Sequence, residues 1–251
     1  MSLRVITGAV LIAVALAALF AGNESFWLLA LIAAMMMAAE WAGLMLAPRR
    51  LIVVSMVAVG AVMITAMPWI DSVAENALIA LVAATALVGL VGKSLRLALG
   101  QLYVGLPTLA ILFIREQPDH GFALALWTFC VVWATDTAAF FAGRSIGGPK
   151  LAPRLSPKKT WSGLIGGIAG AMALGALVVV LTDLDPLLIP LGALLAVVAQ
   201  AGDLFESWLK RKAGVKDSGR LLPGHGGALD RLDGFVPVAT IVGGVVAVGW
   251  L

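Results

Sequence analysis

The chain has 251 residues, of which 61% are hydrophobic and only 12% are charged, and its formal net charge is +3. A soluble domain is about one quarter charged, so this composition excludes a soluble globular enzyme and a disordered chain. Cys130 is the single cysteine and lies in an apolar run, which excludes a secreted disulfide scaffold. Because the apolar stretches are continuous rather than alternating, the sequence predicts an all-α polytopic integral membrane protein.

The apolar segments predict about nine transmembrane helices. A helix needs roughly 20 apolar residues to cross a bilayer, and the segments cover, in chain order, residues 3–22, 26–47, 51–70, 77–92, 97–114, 121–143, 163–182, 187–209 and 233–251. Nearly all of the 17 basic residues fall at the N-terminus or in the even-numbered loops between these segments, whereas the odd-numbered loops carry mainly acids. The positive-inside rule then predicts a cytoplasmic N-terminus and a C-terminus outside.

The predicted membrane domain is continuous but has two regions of different character. Residues 1–115 have short loops and few polar residues within their helices, which is typical of a scaffold, a dimer contact or a lipid-entry region. Residues 116–251 hold both long loops, 144–162 and 210–232, and both are predicted to face the cytoplasm. We therefore expect the active site in residues 116–251.

Four acidic residues lie within apolar segments: Glu40, Asp136, Asp203 and Glu206. A charge at bilayer depth costs about 2.5–3.5 kcal/mol on insertion scales, so an acidic residue retained there usually has a structural or functional role. For Glu40 we favour an interhelical hydrogen bond or a side chain that reaches the membrane surface. Asp136 fits a structural and a functional role about equally. Asp203 near a helix C-terminus opposes the helix dipole, which favours a functional role.

The stretch from Gly202 to Gly234 has the composition of a metal and phosphate site. Its lysines and arginines supply charge for a polyphosphate or a lipid phosphate, although a cytoplasmic loop that binds anionic headgroups would look similar. Its glycine-rich loop, 223–227, permits close approach of the backbone to a ligand. Asp230 and Asp233 are three residues apart and fall on one helix face, where Asp203 can join them around Mg²⁺.

The sixth loop, 144–162, offers a second group of candidate phosphate ligands. Its glycines and prolines predict an ordered, turn-rich loop. Arg144, Lys158 and Lys159 supply positive charge, and Ser156 and Thr160 supply hydroxyls. Composition alone slightly favours an ordinary positive-inside loop. The sequence has no cluster of His and Cys residues, so a structural zinc site is not expected.

Together the two loops resemble those of the phosphatidate cytidylyltransferase family, also called CDP-diglyceride synthetase. The motif of that family is similar to S-x2-K-R-x4-K-D-x5-P-G-H-G-G-x2-D-R-x-D, and here it comprises Ser207, Lys210, Arg211, Lys216, Asp217, Pro223, Gly224, His225, Gly226, Gly227, Asp230, Arg231 and Asp233. Segments 156–160 and 136–140 also resemble the family, whereas Phe140 and Ser162 stand where Tyr and Glu are common.

The resemblance implies attack of the phosphate of phosphatidic acid on the α-phosphorus of CTP, with release of pyrophosphate and formation of CDP-diacylglycerol. The implied metal ligands are Asp203, Asp230 and Asp233, which would hold Mg²⁺ while a monovalent cation such as K⁺ shares the acidic residues. The predicted catalytic residues are Lys210, Lys216, His225 and Asp230. The predicted substrate-binding residues are Ser156, Lys158, Lys159, Thr160, Ser207, Arg211, Gly226, Gly227 and Arg231, and the weaker candidates are Asp136 and Arg144.

Two other functions stay open on the sequence. A CTP-dependent polyprenol kinase would present a similar nucleotide and lipid site, whereas the D-G-x2-A-R pattern of the CDP-alcohol phosphotransferases is absent. A transporter would use Glu40, Asp136 and Asp203 as a relay, but a carrier site normally lies near the bilayer midplane. The expected partners are CTP, phosphatidic acid, membrane lipids and a second copy of the chain, with no nucleic acid. We expect the protein in the bacterial inner membrane with its active site facing the cytoplasm.

Overall fold

The computed structural model describes residues 2–69, 74–219 and 226–250. Within these ranges the fold is all-α apart from one two-stranded hairpin, as the sequence predicts. The elements, in chain order, are α1 (Ser2–Ala21), α2 (Asn23–Leu44), α3 (Arg49–Ile64), α4 (Ala74–Gly92), α5 (Leu95–Arg115), α6 (Gly121–Ser145), β1 (Lys150–Ala152), β2 (Ser156–Thr160), α7 (Trp161–Thr182), α8 (Leu188–Lys212), α9 (Leu229–Leu232) and α10 (Phe235–Ala247).

The number of candidate membrane spans is smaller than predicted. In the described part of the chain six helices are long and apolar enough to cross a membrane, namely Asn23–Leu44, Glu75–Gly92, Leu95–Arg115, Gly121–Ser145, Trp161–Thr182 and Leu188–Lys212. The prediction of nine spans is therefore wrong by this measure. Helix α3 has 16 residues and α10 has 13. These fall below the roughly 20 residues that a bilayer requires, yet the six spans still make the chain a multi-pass membrane protein.

Helices of the two predicted regions pack directly against each other. Helix α5 contacts α10 and α6, and α2 contacts the short helix α9. Within the first region, Trp41 Nε1 donates a hydrogen bond of 2.9 Å to the carbonyl of Arg96, which fixes α2 against α5. Gly100 makes this contact possible, because a Cβ there would overlap the Trp41 ring. Helices α2 and α5 are therefore fixed against each other, and each also contacts helices of the second region.

Helices α6 and α7 approach each other through small side chains. Glycines of α7 face alanines of α6, so that a Cβ on Gly166 would overlap Ala142 and a Cβ on Gly170 would overlap Ala138. Small residues at a helix interface allow close backbone approach inside a membrane. This contact brings the hairpin between the two helices, β1 and β2, close to the end of α6.

Enlarging one of these glycines is expected to destabilise the helix pair. We predict that Gly170→Ala lowers the free energy of unfolding by about 1–3 kcal/mol, the usual range for an overpacked core. Thermal unfolding of the detergent-purified protein, followed by tryptophan fluorescence, measures this. Gly43→Ala is the matched control, because Gly43 lies in α2 with no atom within 4 Å of the added methyl group. Equal unfolding temperatures for wild-type protein and Gly170→Ala would contradict the prediction.

Candidate active site

The last four turns of α8 carry a polar stripe on an otherwise apolar helix. Gln200, Asp203, Glu206 and Lys210 follow one another at spacings of three or four residues, which places them on one face. Gln200 and Glu206 are buried, and Asp203 and Lys210 are half-buried. This face therefore points into the protein rather than towards lipid, and it organises the candidate site.

Lys159 reaches this stripe from strand β2. Its Nζ donates to Gln200 Oε1 at 2.8 Å and lies 2.5 Å from Asp203 Oδ2. Its neighbour Lys158 is exposed. Thr160 ends the strand and caps α7, because its Oγ1 accepts a hydrogen bond of 3.1 Å from the Gly163 N–H. The hairpin thus brings one lysine of the sixth loop to the carboxylate at the end of α8.

Lys159 and Asp203 form the first ion-pair centre, and Lys210 forms the second with Glu206 and Asp230. Its Nζ lies 2.5 Å from both Glu206 Oε2 and Asp230 Oδ1, and the side chains of these acids are 0% and 5% exposed. Asp230 Oδ2 accepts hydrogen bonds from the backbone N–H groups of Ser218 and Gly227 at 2.9 and 2.8 Å. Burial raises the pKa of Asp230, but Lys210 and these N–H groups outweigh burial, so the pKa lies below its usual value. Asp230 is therefore a charged group whose two oxygens both have protein donors.

A group of carboxylates, which we call the acidic cluster, comprises Asp136, Asp203, Glu206 and Asp233. Two of its members, Asp203 and Glu206, also take part in the ion pairs. Asp233 interacts electrostatically with the other three. Burial, followed by these three neighbours, raises the pKa of Asp233 well above its usual value. Glu206 Oε1 is buried and accepts no hydrogen bond from any residue within the described ranges. An accumulation of negative charge of this kind requires a proton or a cation.

The predicted metal ligands are divided between the acidic cluster and the ion-pair centre of Lys210. In residues 2–69, 74–219 and 226–250, no three His, Cys, Asp or Glu side chains are arranged to hold a metal ion. Asp203 and Asp233 belong to the acidic cluster, whereas Asp230 is paired with Lys210. Mg²⁺ that binds with a nucleotide usually takes one or two carboxylates, together with phosphates and water. The acidic cluster, with the unpartnered Glu206 Oε1, fits that smaller requirement.

The other predicted site residues differ in how exposed they are to a ligand. The exposed ones are Arg144, Lys158, Arg211, Lys216 and Arg231, and the half-buried ones are Ser156, Ser207 and Gly226. Thr160 is buried as a helix cap, and the N–H of Gly227 is already donated to Asp230. His225 lies outside the described residues. Asp136 is exposed in the C-terminal half of α6, and its carboxylate interacts electrostatically with Lys159 and Arg231.

An apolar groove of about 820 Å³ runs between α2, α5, α8 and α10, and we call it the lateral groove. Its apolar lining includes Trp41, Leu99, Leu102, Phe205, Trp208 and Ile241. Arg96 and Lys212 provide positive charge in the same groove. Tyr103 also lines it, and this residue interacts electrostatically with Glu206 and Asp233. The lateral groove is therefore adjacent to the acidic cluster.

Comparison with known proteins assigns the chain to a family. Residues 2–248 match the model of the cytidylyltransferase family. The chain belongs to this family. A phosphatidate cytidylyltransferase of Brucella suis is 52% identical over 150 residues, which cover 58% of this chain and 54% of that protein. One of Rickettsia bellii is 40% identical over 159 residues, which cover 58% of this chain and 67% of that protein. The chain thus spans about half the length of the Brucella protein, and the resemblance drawn from the motif is confirmed.

In this member of the cytidylyltransferase family, sequence reasoning gave no role to several residues that hold the site together. Gln200 and Glu206 are the partners of the two lysines, and Ser218 is a partner of Asp230. A signal for the first two was present, because Glu206 lies one helical turn before Lys210 and Gln200 lies three residues before Asp203. Ser218 has no such signal, since its contact depends on how the loop folds.

Proposed function

We propose that this chain is a phosphatidate cytidylyltransferase, which converts CTP and phosphatidic acid into CDP-diacylglycerol and pyrophosphate. The observation that carries the proposal is the juxtaposition at one end of α8 of two lysines and the acidic cluster. Lys159 forms an ion pair with Asp203, and Lys210 forms ion pairs with Glu206 and Asp230. The cytidylyltransferase motif supplies Lys210, Asp230 and Asp233. We also propose that the protein lies in the bacterial inner membrane, that its active site faces the cytoplasm and that it forms a homodimer. The distribution of basic residues supports the orientation.

The proposed reaction depends mainly on charge neutralisation. An oxygen of the phosphatidate phosphate forms a bond to the α-phosphorus of CTP, and the bond from that phosphorus to the pyrophosphate oxygen breaks. The attacking phosphate is already ionised near neutral pH, so the step does not require a general base. Preorganised cations then lower the barrier by neutralising the charge on the phosphates. Lys159 and Lys210 are the fixed cations that this chain provides for that purpose.

The acidic cluster is proposed to hold Mg²⁺ through Asp203 and Asp233, with a monovalent cation such as K⁺ as a second occupant. When bound, Mg²⁺ would neutralise charge on the triphosphate. The side chains of the cluster supply the hard oxygen donors that this ion prefers. Lys159 already contacts Asp203, so a bound nucleotide and a bound Mg²⁺ would both change the electrostatic environment of this lysine.

The lateral groove is proposed to receive the acyl chains of phosphatidic acid. Its apolar lining suits hydrocarbon, and Arg96 and Lys212 suit the phosphate of an anionic lipid. Tyr103 connects the groove with the acidic cluster. A lipid in this position would enter from the side while its phosphate lies close to the lysines.

Activity of the detergent-purified protein tests the function and the metal proposal together. With CTP, phosphatidic acid and Mg²⁺ we expect CDP-diacylglycerol and pyrophosphate in equal amounts, and no product after chelation. Asp203→Asn and Asp233→Asn should each raise the Mg²⁺ concentration needed for half-maximal activity by about tenfold or more, since weaker outer-shell changes already cost about 10–100-fold in affinity. Asp183→Asn is the matched control, because Asp183 is exposed in the turn after α7.

Other outcomes would contradict specific parts of the proposal. Formation of CDP and a phosphorylated lipid, in place of pyrophosphate and a CDP-lipid, would identify a CTP-dependent lipid kinase. A folded protein that consumes no CTP would exclude both enzymes. An unchanged Mg²⁺ requirement in Asp203→Asn and Asp233→Asn would remove the metal from the acidic cluster.

A further inference from the structure

We propose that Glu40 of α2 is a positioning residue for the candidate active site, which acts through the loop before α9 and holds Asp230 in place. The inference rests on the proposed function, because the reaction to be supported is the cytidylyl transfer. From the sequence, Glu40 was expected to bond to a neighbouring helix or to reach the membrane surface. The structure shows such an interhelical hydrogen bond, from the N–H of Leu229 in α9, and it places the same carboxylate against the loop before α9.

The carboxylate of Glu40 binds the start of α9 directly. Its Oε1 accepts a hydrogen bond of 2.9 Å from the N–H of Ala228, and its Oε2 accepts one of 2.9 Å from the N–H of Leu229. The first N–H groups of a helix have no partner within the helix, so a carboxylate there acts as a cap. Glu40 is only 5% exposed. The bonds are therefore shielded from water, and their loss would leave buried polar groups without partners.

Ser218 connects Glu40 with the second ion-pair centre. Its Oγ lies 3.1 Å from Glu40 Oε2 and 2.9 Å from Asp230 Oδ2. The hydroxyl has one hydrogen, which it can donate to only one of the two carboxylates at a time. The backbone N–H of Ser218 also donates to Asp230. Asp230 in turn holds Lys210 at 2.5 Å, so the contacts run without a break from α2 to a proposed catalytic lysine.

Two glycines of the loop are explained by their contact with Glu40. A Cβ on Gly219 would lie 2.5 Å from Glu40 Oε1, and a Cβ on Gly227 would overlap both Glu40 Oε2 and Ser218 Oγ. A side chain at either position would displace the carboxylate. The described ends of the loop therefore pack closely around Glu40, which brings a helix of the N-terminal region, 1–115, into the organisation of the site.

Replacing Glu40 by glutamine keeps its size but places an amide group against backbone donors. We expect Glu40→Gln to lower kcat by about 10–100-fold, because small displacements of reacting groups have effects of that order. The KM for CTP should change much less, since Glu40 touches no proposed substrate-binding side chain on the hairpin. Glu40→Asp, which keeps the carboxylate on a shorter side chain, should recover part of kcat. Glu24→Gln is the control, because Glu24 is exposed in the first turn of the same helix.

Backbone hydrogen exchange supplies a second measurement that needs no substrate. We expect the amides of Ala228 and Leu229 to exchange about tenfold faster or more in Glu40→Gln than in wild-type protein, the loss expected for a bond to a charged group. Unchanged exchange at these amides, or an unchanged kcat, would overturn the proposal, and so would an equal fall in kcat in Glu24→Gln. If Glu40→Gln fails to fold, Ser218→Ala tests the same connection and should lower kcat in the same direction. Absence of activity in wild-type protein would instead overturn the proposed function.

Discussion

Lys210→Met is expected to lower the free energy of unfolding by about 3–5 kcal/mol, the usual loss when a buried ion pair loses one partner. Lys210 Nζ is 2.5 Å from the carboxylates of both Glu206 and Asp230. Both acids are almost inaccessible to water, so removal of the lysine leaves two neighbouring anions in a poorly solvated region. Product formation should fall below detection, because a proposed catalytic cation is lost together with the position of Asp230.

Unfolding in denaturant, followed in detergent, measures the effect of Lys210→Met. Lys150→Met is the stability control, because Lys150 is exposed on β1 and surface changes usually stay within about 0.5 kcal/mol. Adding Glu206→Gln to Lys210→Met should restore part of the stability, since one of the two uncompensated charges is removed, but it should restore no activity. A stability for Lys210→Met equal to that of wild-type protein would show that the pair does not contribute as described.

Lys159→Met is expected to separate activity from stability. We predict that kcat/KM falls by about 100-fold, within the range of about 2–5 kcal/mol for loss of one partner of a hydrogen-bonded charge pair. Its partner Asp203 is 29% exposed, so water can solvate the remaining carboxylate and the unfolding free energy should change by about 1 kcal/mol or less. Steady-state kinetics with CTP and phosphatidic acid varied in turn, together with thermal unfolding, measure both quantities.

The neighbouring lysine provides the comparison for this second prediction. Lys158 is exposed on the opposite side of β2, so Lys158→Met should reduce kcat/KM several times less than Lys159→Met. The two variants remove the same charge from adjacent positions, and a general effect of loop charge on substrate attraction would affect them equally. Equal losses would therefore show that long-range attraction, rather than the fixed position of Lys159, is what matters.

The long apolar runs predicted the helices of the membrane core well. Predicted segment 163–182 corresponds to α7 at Trp161–Thr182, and 77–92 corresponds to α4 at Ala74–Gly92. Hydropathy failed where apolar residues continue past a helix end. Segment 51–70 includes Pro68 and Trp69, which follow the end of α3 at Ile64. An apolar turn and an apolar helix have the same hydropathy, so the count of spans was too high.

The sequence also predicted most charged members of the candidate site, but not how they are paired. The motif and the intramembrane position pointed to Asp203, Lys210 and Asp230, which the structure places in or beside the two ion-pair centres. Helical spacing cannot reveal that Lys159 pairs with Asp203 or that Glu40 binds a loop more than 180 residues further along the chain. These contacts come from tertiary packing. Their functional roles, and those of the remaining predicted residues, stay predictions.

The close contact of α6 with α7 limits how the site can adjust to a ligand. Because small residues bring these helices into close contact at several positions, we expect the two helices and the hairpin that joins them to move together as one unit. Asp136 and Lys159 belong to that unit, whereas Asp203 and Lys210 belong to α8. We therefore expect a change in the width of the site to come from movement of α8 relative to this unit, and such a movement would open the Lys159–Asp203 contact.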